Sequence, residues 1–239
     1  MNVRFPASVS LAIASVFLLT GCDGWLGGVA LVAAGHDHRD GHRIRGDGDV
    51  SSFALVNGAD VVRVRLGDLG GDRYEVSTPD GSKVVPAVDV DGHEVIAGLH
   101  ATSGGDPALV TVVLSSKVHW SVRLSGGADD ESVDLTGGPG GDVDFGAGTS
   151  RAAVALPAAH GTQRVVLGGG AAQFDVRLAG DAPVRVAANG GAGSVTIDGQ
   201  THSGVAGGSV WSPDGWSTAT DRYDIDATSG VSTLTVSRV

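Results

Sequence analysis

A single cysteine, Cys22, among 239 residues leaves the chain no intramolecular disulfide. Aromatic side chains make up only 5 %, too few for the large aromatic-centred core of many sandwiches. Positive charge is scarce too, with 16 basic side chains against 27 acidic ones and a formal net charge of −11. No phosphate-neutralising surface is expected, and so no nucleic-acid partner. Anionic wall polymers are repelled for the same reason unless a cation bridges them. The 8 prolines are far fewer than a collagen repeat demands, and a hydrophobic fraction of 41 % excludes a disordered, highly charged chain. No phosphate-binding glycine loop of standard spacing, His-Glu-x-x-His or Gly-x-Ser-x-Gly occurs. Glycine is what abounds: 39 residues, about twice its usual ~7 % share.

The first 22 residues read MNVRFPASVSLAIASVFLLTGC. Arg4 precedes an apolar run from Val9 to Leu19, too short to cross a bilayer and of the length of a signal h-region. The run closes on Leu19-Thr20-Gly21-Cys22, which resembles the bacterial lipobox. That resemblance implies cleavage before Cys22 and acylation of its thiol, making residues 1–21 a lipoprotein signal peptide. Two or three acyl chains anchor stably where one binds marginally. The expected location is therefore the extracytoplasmic face of the cell membrane, with the lipid anchor as the membrane contact. Lipidation also consumes the chain's only thiol. A second apolar stretch, Trp25–Ala34, spans ten residues, contains Gly27 and Gly28, and is too short to span a membrane.

Residues 22–49 read as the lipidated cysteine and a flexible tether. His36, His38 and His42 are the metal-ligating candidates there, since imidazole suits zinc and copper. Gly35, Gly41, Gly46 and Gly48 make the segment a floppy chain without a preformed scaffold, so no metal and no cofactor is expected.

From residue 120 the apolar residues fall in short alternating pairs: Val122/Leu124, Val133/Leu135, Val143/Phe145, Val154/Leu156, Val165/Leu167, Phe174/Val176, Val184/Val186 and Val195/Ile197. First members step by 11, 10, 11, 11, 9, 10 and 11 residues. Period-two alternation predicts short strands with one buried face, and the Gly-Gly dipeptides between them predict turns. A fixed period is the mark of a solenoid. The expected fold is all-β: a right-handed parallel β-solenoid with two or three strands per coil and coils of about 21 residues. The alternative is an antiparallel β-sandwich, whose strands also recur every 8–12 residues or so. Residues 50–118 continue the style with less order, as the first part of the stack or a cap on it, and 119–239 carry the repeats. Trp211, Trp216 and Tyr223 cluster near the C-terminus, where an aromatic cap over the last coil or a glycan-stacking surface is expected.

The runs WSVRLSGGADDESVDL, GGGAAQFDVRL, PVRV and GGAGSVTIDG, with Leu156-Pro157 between, resemble a bacterial group of short β-helical domains of the adhesin and cell-wall-stress-response type. The resemblance covers roughly residues 110–239 and implies a fold and a surface setting, with no catalytic residue to carry over.

Catalytic chemistry finds little footing. Gly137-Gly138-Pro139-Gly140-Gly141-Asp142 matches the start of a calcium-binding nonapeptide, but Asp144 stands where an aliphatic residue is required and no second copy follows. With strands alternating between two sheets, one outer row is expected to read Arg123, Asp144, Val166, Arg185 and the other Asp134, Ala155, Asp175, Thr196. Neither offers the close acid pair of a glycosidase. Asp144 beside Arg123 reads as a cross-coil ion pair. The expected function is non-catalytic: a lipid-anchored envelope protein, adhesin-like, a scaffold or an envelope-stress component, with cell-wall glycan or an envelope protein as partner. The alternatives are a carbohydrate-binding module using Trp211 and Trp216, or a glycan-processing β-helix enzyme.

Overall fold

The computed structural model describes residues 41–239. Nineteen strands in two mixed sheets, of ten and nine strands, make up an all-β fold. Among the described residues the only helical element is a 3-10 turn at Trp216–Thr218. Cys22, His36 and His38 lie outside the described residues, and His42 is an exposed residue opening the first strand.

The chain alternates between the sheets. After β1 (His42–Gly46), β2 (Ser52–Leu55) joins the nine-stranded sheet and β3 (Val61–Gly67) the ten-stranded one. β4 (Tyr74–Thr78) and β5 (Val84–Asp91) then run back, one in each sheet. Four forward pairs follow: β6 (Glu94–Ala101) with β7 (Leu109–Ser115), β8 (Trp120–Leu124) with β9 (Ala128–Asp134), β10 (Gly141–Phe145) with β11 (Thr149–Leu156), and β12 (Thr162–Leu167) with β13 (Ala171–Leu178). A fifth, β14 (Val184–Ala188) with β15 (Ala192–Ile197), precedes a second return through β16 (Gln200–Val205) and β17 (Ser209–Trp211). β18 (Arg222–Ala227) and β19 (Val231–Arg238) complete the chain.

Forward strands pair with one another in parallel, and the returns pair antiparallel to the outermost forward strands. Val122 lies beside Val143 and Val143 beside Val165, steps of 21 and 22 residues; Val133, Val154 and Val176 repeat the same steps in the other sheet. The alternating pairs read from the sequence all turn inward. Seven are wholly buried, and only Ile197 of the eighth is partly exposed. Phe145 meets Phe174 edge to face across the two sheets at 5.9 Å, which ties them at mid-stack.

The order in space departs from the order in sequence at both ends. The ten-stranded sheet runs β1-β4-β7-β3-β9-β11-β13-β19-β15-β16, and the nine-stranded sheet β17-β14-β18-β12-β10-β8-β2-β6-β5. The first forward pair, β2 and β3, is thus inserted between its two successors, and the last, β18 and β19, between its two predecessors. Each end is closed by an antiparallel return, with β1 lying outside β4 at the edge of the ten-stranded sheet. Residues 50–118 therefore share both sheets with the rest.

This order corrects the expected outer rows. β18 separates β12 from β14, so the row runs Arg123, Asp144, Val166, Asp226, and Arg185 lies instead beside Asp224. In the other sheet Ala155 has Asp134 on one side and Arg177 on the other, while Asp175 lies beside Ala153. Phe174 follows Val165 by nine residues instead of eleven, so the Phe174/Val176 pair starts two residues early and its outward residue shifts by one alternation. The Arg123–Asp144 pair forms as expected, at 3.6 Å.

Candidate functional site

The stack ends on the β16–β17 side, and there residues of both sheets line a cleft of about 680 Å³. Its walls include Asp181 before β14, Asp198 after β15, Val210, Trp211 and Ser212 on and after β17, and Arg238 at the end of β19. Asp198 and Gly199 form the two-residue connection from β15 to β16, with φ of 47° and 84°. Two successive positive φ values match the twist of a tight hairpin, and aspartate tolerates that region better than most side chains. The hairpin places the Asp198 carboxylate on the cleft wall.

Arg238 is the unexpected member. Its register neighbours on the inward face are Leu178 and then Leu156, both fully buried, so a guanidinium closes a column of leucines. Nη1 donates to the Gly180 carbonyl at 3.0 Å and Nη2 to the Ala182 carbonyl at 2.8 Å. The guanidinium carbon lies 5.7 Å from the centroid of the Tyr223 ring, and Nε lies 3.9 Å from Asp198. Those contacts fix the cation in place and use two of its five N–H groups. With two carboxylates and one guanidinium, the cleft is acceptor-rich and negative.

The three aromatic residues separate in space. Trp211 lies opposite Val186 on β14 and His202 opposite Val195 on β15, both buried valines. Opposed residues of an antiparallel pair share a face, so the two rings, 5.1 Å apart, cover the end of the core. Trp211 is thus both cap and cleft wall. Tyr223 is neither. It is wholly buried on β18, with its hydroxyl 2.6 Å from the carbonyls of Pro157 and Ala179, to one of which it donates. Burial pushes its pKa up. A ring without exposed faces cannot stack on a glycan; the insertion of β18 between β12 and β14 is what buries it.

Trp216 lies outside the cleft lining. Its Nε1 donates to the Tyr223 carbonyl at 2.8 Å, and the guanidiniums of Arg222 and Arg185 sit 4.9 and 5.6 Å from its ring. Arg185 in turn pairs with the largely buried Asp224 at 2.6 Å, and Arg164 approaches the same carboxylate at 3.7 Å. This network pins the Trp216 loop to the nine-stranded sheet.

Sequence reasoning picked Trp211 by residue type and missed Asp181, Asp198 and Arg238. The signal for Arg238 was present: Leu234, Val236 and Arg238 alternate, which puts a charge in the inward phase. Among the described residues no group of three or more histidine, cysteine or acidic side chains converges as a metal site.

No protein-family model and no curated protein sequence matches the chain. Among solved structures, one described as a "putative cell adhesion protein" from Clostridium sporogenes aligns with a TM-score of 0.58 at 11 % identity, over 81 % of this chain and 94 % of its own. Adhesin structures from Bacteroides fragilis (11 % identity, 81 % and 96 % covered) and Parabacteroides merdae (7 %, 82 % and 94 %), both likewise described as "putative", align with TM-scores of only 0.24 and 0.21. The first alone superposes well enough to show a shared fold.

Proposed function

We propose that this protein is a non-catalytic, lipid-anchored adhesin of the bacterial cell envelope, built as a right-handed parallel β-solenoid with two strands per coil and a locked coil at each end. The observation that carries the reading is the open cleft at one end of the stack, opposite the edge where β1 sits. Within the described residues, β1 and the cleft thus lie at opposite ends of the ten-stranded sheet. The register steps of 21 and 22 residues and the parallel pairing support the solenoid, and right-handed crossovers are the rule for parallel strands. The fold shared with the C. sporogenes protein supports a cell-adhesion role.

A non-catalytic role draws support from several outer-face acids that are matched to arginines. Asp130 lies 2.7 Å from Arg63 and 2.9 Å from Arg151, and Asp224 lies between Arg185 and Arg164. Acids so paired are poor general acids at neutral pH.

The anchor is tested by metabolic palmitate labelling and membrane fractionation. The parent protein is expected to take up label and to fractionate with membranes, and Cys22→Ser to take up none. A Cys22→Ser protein that stays membrane-bound with an identically processed N-terminus overturns the anchor. The adhesin reading is tested separately, by attachment of cells with and without the gene to surfaces and to other cells; equal attachment overturns it.

A further inference from the structure

We propose that the end cleft binds an uncharged hexose unit of a surface glycan, seated with its C–H face against Trp211 and its hydroxyls donating to Asp181 and Asp198. This assigns a ligand class to the adhesin reading and rests on it. Three features of the cleft select that chemistry.

Hydrogen-bond capacity comes first. Two ionised carboxylates on the wall only accept, while Arg238, which spends one N–H of each Nη on the Gly180 and Ala182 carbonyls, is the lesser donor. The ligand must therefore bring donors. A sugar carries several hydroxyl donors on a small frame, which suits two carboxylates on one cleft.

Apolar surface comes second. Trp211 and Ile197 are part-exposed and Val210 is 49 % exposed, so the cleft offers an apolar wall beside its carboxylates. A pyranose has an apolar face of C–H groups and a polar edge, and an aromatic ring accepts the former while acids take the latter. Trp211 packs against the His202 ring, which helps to hold it in place.

Charge and size come third. Two carboxylates against one engaged guanidinium disfavour uronic acids and phosphorylated sugars. A volume of about 680 Å³ lies within the usual range of small-molecule sites and accommodates the terminal rings of a glycan.

The test is an array of neutral, N-acetylated and uronic-acid oligosaccharides probed with the full-length chain in detergent micelles, followed by titration of the best neutral binder. Neutral oligosaccharides are expected to bind and uronic acids not. Trp211→Ala and Asp181→Ala are each expected to weaken binding about tenfold, the equivalent of one lost contact of ~1.4 kcal/mol. Asp181 is exposed, so its loss separates a binding effect from unfolding. Trp216→Ala, outside the cleft, is expected to keep the affinity. Unchanged binding in both cleft variants overturns the proposal, as does uronic-acid binding equal to that of neutral sugars. If no sugar binds while cells carrying the chain still attach, the sugar assignment falls and the adhesin reading stands. If attachment does not depend on the gene but the array is positive, the adhesin reading falls alone.

Discussion

Replacing Glu131 by methionine is expected to stabilise the protein by about 3 kcal/mol at pH 7 and to remove most of its loss of stability with rising pH. Glu131 points inward from β9, with Val62 and Ala152 as its register neighbours. It is 1 % exposed, and neither carboxylate oxygen has a hydrogen-bond partner. Burial alone pushes its pKa from 4.5 to about 8. In the unfolded chain this carboxyl loses its proton near pH 4.5, while the folded chain keeps it to about pH 8. Between those values folding must take up a proton, which costs ~1.4 kcal/mol per pH unit. The contribution is in full force below pH 4.5 and is lost as pH rises through about 8. At pH 7 the loss is ~3 kcal/mol, and above the folded pKa it approaches ~5 kcal/mol.

Methionine has a similar reach and nothing to ionise, so the difference between the two proteins isolates this one group. The acid limb is set elsewhere and cancels. Asp60, hydrogen-bonded by Lys83, and Asp130, hydrogen-bonded by Arg63, have carboxyls held below the usual range. Their contribution is present above the ordinary carboxylate pKa and fades as pH falls through their lowered values. Urea midpoints from pH 4 to 9 provide the measurement, and parallel curves for parent and variant would falsify the assignment.

Alternation in the sequence told which residues face inward, and all eight apolar pairs do so. It could not tell which strand lies beside which. Hydrophobic periodicity is a property of one strand, whereas neighbourhood depends on the returns through β4–β5 and β16–β17. The Asp-Gly dipeptides at 91–92 and 198–199 were local marks of reversal, but they do not say which strands the returns leave side by side. The buried place of Tyr223 and the Asp224 network both follow from the insertion of β18 and β19. The cleft was hidden for the same reason: Asp181, Asp198, Trp211 and Arg238 come from separate segments that meet only once the last pair is inserted. Trp211 was found because a cluster of aromatics at the end of an aromatic-poor chain is conspicuous; aspartates among 27 acids are not.

Gly169→Ala is expected to destabilise the protein by about 3 kcal/mol, at the upper end for forcing a methyl into a packed site, because the group it meets is backbone. The corners joining the nine-stranded sheet to the ten-stranded one stack in the order of the forward pairs. Asn57, Gly126, Ala147, Gly169, Ser229 and Gly190 occupy successive corners along the stack. Side chains and glycines alternate. A Cβ at Gly126 would overlap the Asn57 carbonyl, one at Gly169 the Ala147 carbonyl, and one at Gly190 the Ser229 carbonyl. Each glycine thus lets its corner lie against the backbone of the preceding one at the ~4.8 Å spacing of paired strands. A methyl at Gly169 must either lift that corner, straining the parallel bonds of β12 and β13 with β10 and β11, or displace the Ala147 peptide. The control is Gly105→Ala, where no atom lies within 4 Å of the added carbon and φ is not positive; its effect is expected within ~0.5 kcal/mol. Urea midpoints at constant slope compare the two. A Gly169→Ala protein that unfolds with the parent's midpoint would show that the corners are loose, and that the glycine excess of this chain has some cause other than close stacking.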